Sequence, residues 1–274
     1  GRGRIPPQLG PRPPARDRLP LPLTEREPDM HVNPIANGLL SGAAAAIVAA
    51  ILHLMFLQPL LLRAEEYESG ARVHSFETGA SHAHADAVAA DPDHHAGGEV
   101  TSRAMPTRLD TPWDPLRDAQ TVGFFLVTYV AYGLILAAAV DLARRRGYRE
   151  AVGHSVLWGA AGFATFALIP SFGLAPELPG MAAGTLELRQ IWWALTAAIS
   201  AATLAALAFG RARAGWGGLG LLALTVLMFL APEPGAFTGP VPPELSAVFA
   251  GRALGLAAAA WLVLAACALR QPQK

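Results

Sequence analysis

Six stretches of the chain carry no Asp, Glu, Lys or Arg: residues 35–62, 121–140, 151–175, 190–210, 214–232 and 253–269. A helix rises 1.5 Å per residue, so a bilayer core about 30 Å thick takes about 20 apolar residues. The first four stretches meet that length. The fifth and sixth, 19 and 17 residues, are short on their own, although the sixth extends back to Leu245 when Arg252 is included. The pattern predicts an all-α, polytopic transmembrane helix bundle of about six spans, five being the alternative. The spans fall near 35–62, 121–142, 152–174, 190–210, 215–232 and 245–269. They are rich in Ala and Gly, which let membrane helices approach closely. Gly38 with Gly42, and Gly251 with Gly255, have GxxxG spacing, and ordinary helix packing is expected of both pairs.

Composition sharpens this. Hydrophobic residues make up 53% of the chain and charged residues 15%, against about 45–50% and about 25% in soluble domains. The net charge is zero, which excludes the basic excess of a nucleic-acid binder. One cysteine, Cys267, leaves no intrachain disulfide and no thiolate metal cluster. Neither HExxH nor GxSxG occurs, nor the phosphate-binding GxxxxGK[ST], so no enzyme activity is expected.

Basic residues collect in alternate connections: Arg144, Arg145, Arg146 and Arg149 after the second span, Arg211 and Arg213 after the fourth, Arg270 and Lys274 at the end. Short cytoplasmic loops collect Lys and Arg. The expected orientation is a multi-pass protein of the bacterial inner membrane with both termini cytoplasmic and the 63–120 loop external. Residues 1–29 hold eight Pro and six Arg with no apolar period and are expected to be a disordered leader. Met30, five residues before the first span, is the expected natural start, with residues 30–274 as the membrane domain.

The 63–120 loop is expected to be disordered or partly ordered. It has eleven acids against five arginines and holds His74, His82, His84, His94 and His95 within 22 residues. Imidazole and carboxylate are ligands for first-row divalent metals. No rigid structural-zinc spacing is present, so the loop reads as a flexible, acidic, imidazole-rich collector of cations. Incidental composition is the competing reading. Within the first span, His53 stands at membrane depth, followed by Gln58, Pro59, Glu65 and Glu66. An ionisable group there faces the bundle or a wet cavity. His53, Glu65 and Glu66 are the candidate metal ligands beyond the loop histidines. Gln58, Glu177, Glu187, Arg189 and Gln190 are candidates for the transport path or the structure of its mouth, with Arg189 expected to pair with Glu177 or Glu187. No tightly bound cofactor is expected.

These residues resemble the CbtA family of cobalt transporter subunits. The resemblance lies in Gln58-Pro59 with Ala64-Glu65-Glu66-Tyr67-Glu68, the His-rich loop, Pro-Glu177-Leu-Pro-Gly180, Arg189-Gln190-x-Trp192-Trp193 and the Pro-Gly-Ala segment at 234–236. It covers about residues 33–269. It implies membrane transport of a divalent cation, cobalt first and nickel or zinc next, linked to cobalamin supply. The implied partner is a small His-rich single-span subunit of the CbtB type; the uncharged stretches call for the lipid bilayer, and the small bundle of about six spans for a homo-oligomeric copy or a complex. The alternative function is a non-transporting metal sensor or an assembly subunit of a larger uptake complex.

Overall fold

The computed structural model describes residues 33–71, 114–148, 153–210, 213–236 and 238–270. Most of the 63–120 loop, with His74, His82, His84, His94 and His95, and the 1–29 leader lie outside the described residues. What is described is helix and connecting turns.

Helix α1 (Pro34–Leu52) starts with proline at its first position, where no N–H is needed, and Asn33 caps it by accepting from the Ile35 N–H at 3.0 Å. A π-helical turn, His53–Leu57, joins it to α2 (Gln58–Glu68), so the first membrane helix is continuous over Pro34–Glu68, 35 residues. Helix α3 (Pro115–Arg145) repeats the same start, with Asp114 as cap and proline at the first position. Helix α4 (Ser155–Phe163), a second π turn (Ala164–Leu168) and the short α5 (Ile169–Ser171) form the next apolar helix. Helices α6 (Leu186–Phe209), α7 (Arg213–Phe229) and α8 (Pro243–Leu269) complete the bundle.

Among the described residues four helices are long and apolar enough to cross a membrane: Pro34–Glu68, α3, α6 and α8. The α4–α5 helix and α7 are shorter. The two short elements are therefore the third and fifth stretches rather than the fifth and sixth. In the third, 25 uncharged residues give a helix that stops at Ser171, because Gly173, Pro176 and Pro179 follow. The sixth, short by its charge-free length, is a 27-residue helix because Arg252 lies within it.

Helix α8 packs against α1 and α4; α3 packs against α1 and also touches α8, and α6 with α7 lies beyond the second π turn. The nine acids Glu65, Glu66, Glu68, Asp114, Asp118, Glu177, Glu187, Glu233 and Glu244 sit at or beside one set of helix ends, whereas Asp141, beside Arg144–Arg146, sits at the other. We call these the acidic and the arginine ends. At the arginine end Asn37 Nδ2 donates to the Ala268 carbonyl at 2.6 Å. Large apolar side chains cover the bundle's exterior, among them Val127 (73% exposed) and Phe229 (87%), as a surface meant for lipid requires.

The tightest seam joins α1 to α3. A Cβ placed on Gly38 would stand 2.9 Å from the Gly133 carbonyl oxygen, and one on Gly42 2.6 Å from that of Tyr129. Both residues are glycine because the two backbones touch. The second GxxxG pair behaves differently: Gly251 and Gly255 are exposed, and a Cβ on either would meet nothing within 4 Å. The packing expected of that pair is not formed among the described residues.

Replacing Gly42 with Leu is expected to lower stability by about 1–3 kcal/mol, the range for overpacking, whereas Gly251→Leu should leave it unchanged. Thermal unfolding of the two variants in detergent checks this contrast.

Candidate functional site

Proline at position 59 cannot supply the N–H that an α-helix needs there, and the π turn ahead of it absorbs the mismatch. Within this turn the Gln58 N–H reaches the His53 carbonyl, one residue further back than in an α-helix. The second π turn stands in the same relation to Pro170, with the Ile169 N–H reaching the Ala164 carbonyl. A side-chain donor from a neighbouring helix reaches into each turn. Arg252 Nη1 donates to the Phe56 carbonyl at 3.1 Å, and Trp193 Nε1 to the Phe166 carbonyl at 3.3 Å. Phe166 is the residue whose carbonyl loses its α-helical partner at Pro170. There the Trp193 donor stands in for the missing N–H, which is what makes a proline-broken helix tolerable in lipid.

His53 opens the first π turn and is half-buried. Its imidazole lies tilted on Phe125 of α3, ring centroids 5.2 Å apart. From Phe125 the rings continue through Tyr129 and Tyr132 to Phe166 and Trp261, which are stacked at 5.4 Å and 6°. Gln58 faces the same helix one π turn closer to the acidic end. Its Nε2 donates to Asp118 Oδ1 at 2.9 Å. Sequence reasoning missed Asp118 because it counted residue 118 as part of the loop. Glu65 is exposed further along the same helix, about 18 Å of axial rise from His53. The structure thus spreads His53, Glu65 and Glu66 along one helix instead of gathering them. Among the described residues no three His, Cys, Asp or Glu side chains stand close enough to hold a metal together.

The mouth formed by the other helices is built on one ion pair. Arg189 Nη2 donates to Glu177 Oε2 at 2.7 Å, each side chain less than a third exposed. This closes the Pro-rich turn after α5 onto the start of α6, while Glu187 and Gln190 are exposed. The turn is held further by the Ala182 N–H, which donates to the Thr238 carbonyl at 3.0 Å in the corresponding connection before α8. Leu178 and Val241, 3% and 5% exposed, fill the space beneath. Trp192 is buried and donates from Nε1 to the Leu227 carbonyl at 2.8 Å, fastening α7 to α6.

A polar-ended, apolar-sided bundle with two proline-broken helices is the build of a polytopic membrane protein. A family model described as "Probable cobalt transporter subunit (CbtA)" matches residues 33–270. The chain belongs to the CbtA family. The family is one of transporter subunits and not of enzymes, and the word subunit implies a complex with a partner. No curated protein and no solved structure matches the chain.

Arg189→Ala is expected to cost about 1 kcal/mol, the upper end for pairs open to solvent. Exchanging the two charges, Glu177→Arg with Arg189→Glu, should recover part of that loss. Thermal unfolding of the single and double variants measures the coupling.

Proposed function

We propose that this chain is the membrane-spanning subunit of a permease for a divalent transition-metal cation, with cobalt as its cargo and nickel and zinc as competitors. The supporting observation is the polarity of the bundle: nine of the ten acids among the described residues stand at one end, and the arginine cluster Arg144–Arg146 at the other. An acidic mouth concentrates cations before they enter. Arginine-rich short connections favour the cytoplasmic side, so the acidic end faces outward in the bacterial inner membrane and both chain ends lie inside. The histidines at 74, 82, 84, 94 and 95 then act as an outer collector. Glu65 and Glu66 receive the ion and pass it to His53, beside the break in the first span. Imidazole and carboxylate exchange such ions readily, and a path of single ligands releases them faster than a closed site would. Energy and regulation come from a partner subunit, for which a small His-rich single-span protein is the candidate, or from further copies of the chain.

The test is uptake of radioactive cobalt by cells that lack their own cobalt transporters, with the chain expressed alone and with that candidate partner. Saturable uptake, reduced about tenfold in His53→Ala at equal membrane levels (about 1.4 kcal/mol on the path), is the expected result. Absence of uptake in both arrangements, with the protein verified in the membrane, defeats the proposal.

A further inference from the structure

We propose that Asp118 and Gln58 together form the first station for the divalent cation inside the bundle, a pair of side-chain oxygens at the mouth of the seam between the first span and α3. This rests on the permease reading and adds to it a residue, Asp118, that neither the sequence pattern nor the family match assigns.

Three observations converge there. Gln58 and Asp118 are joined across the seam at 2.9 Å and are partly buried. Gln58 Oε1 is buried with no hydrogen-bond partner among the described residues, as is Nε of Arg117 beside Asp118. The same seam, followed inward, leads to His53. Asp118 and Phe125 are seven residues apart and share one face of α3, and Phe125 carries the His53 ring. Followed outward, Glu65 is seven residues beyond Gln58 and shares its face of α2. The π turn matters to this alignment. By adding a residue to one turn, it rotates Gln58 back toward the face from which His53 meets α3.

A buried carbonyl oxygen without a donor is costly, and its presence beside a carboxylate needs a reason. An arriving cation supplies one. At rest the Gln58 amide nitrogen donates to Asp118 and holds the seam shut. A half-turn of the terminal amide exchanges Nε2 for Oε1, so that a neutral and an anionic oxygen face the same point. Only a cation makes that exchange favourable, because without one the two oxygens repel. Two oxygens completed by water bind an Mg-, Co-, Ni- or Zn-like ion loosely. Arg117, with the opposite charge on the preceding residue, offsets part of the carboxylate's pull. Loose binding suits a station that must release its ion to His53.

The test uses the full chain purified in detergent, with His74, His82, His84, His94 and His95 changed to Ala to remove the loop's imidazoles, and equilibrium dialysis of radioactive cobalt into the millimolar range, the loop carboxylates being the same in every variant compared. In Asp118→Asn the Asn oxygen still accepts from Gln58, so the seam keeps its hydrogen bond. Cobalt binding should nevertheless weaken about tenfold or more, as loss of a ligand charge requires. Asp118→Glu should retain most of it. Gln58→Glu should tighten it, although a purely structural Gln58–Asp118 contact would be broken by that change. The proposal is overturned if the parent binds no cobalt saturably, or if parent and Asp118→Asn bind within about twofold of each other. It is also overturned if Gln58→Glu weakens binding. Uptake by the wild-type chain is scored separately: Asp118-dependent binding without uptake defeats the permease reading and leaves the station standing.

Discussion

The contact between Gly38 and Gly42 of α1 and the Tyr129–Gly133 stretch of α3 sets the position of everything at the acidic end. Because the backbones meet without intervening side chains, α1 and α3 have little freedom to slide or rotate against each other. That fixed register carries up the seam. It brings His53 to Phe125 and Gln58 to Asp118, at points where side chains must match within a few tenths of an ångström to bond. In lipid there is no hydrophobic force between helices, so close packing and interhelical hydrogen bonds are what hold such a seam. Both are present here, the glycines toward the arginine end and the polar pair toward the acidic end.

Helix α8 serves the bundle in a second way. It packs against both α1 and α4, and each of those helices carries a π turn followed by a proline one residue later. Arg252 of α8 attends to the first break, and Trp261 of α8 stacks on Phe166 within the second. Arg252 thus ties α8 to the first π turn of a neighbouring helix. A guanidinium in an apolar helix needs such a partner, and a carbonyl at a helix break is a suitable one.

The spans were legible because charge is expensive in lipid and its absence shows directly in the sequence. Their ends were less so. The helix over residues 115–120 was assigned to the loop on the strength of its charges, although Asp114-Pro115 is a cap followed by a first-position proline. Read that way, the pair would have placed Asp118 on a helix. The two π turns were not legible: Pro59 and Pro170 announce a break, but whether it becomes a kink, a bulge or an end depends on the donors that neighbours supply. Arg189 declared itself by being a lone cation among acids, and only the folded turn selected Glu177 over Glu187. The glycine pairs show the limit of motif reading. Identical spacing gives a backbone contact at 38 and 42 and an open face at 251 and 255.

The π turn at His53–Leu57 also divides the first span mechanically. On one side α1 is clamped to α3 by its glycines; on the other, α2 is an arm of 11 residues, about 16 Å long, that buries Leu60 and Ala64 in the bundle. A rotation of about 10° at the turn would sweep Glu68, at the far end of α2, through about 3 Å while hardly moving Gln58, which stands at the turn itself. The clamp and the arm belong to one continuous helix. The first span thus meets α3 through backbone at the arginine end and through side chains at the acidic end, so the two ends of one helix are held by different kinds of contact.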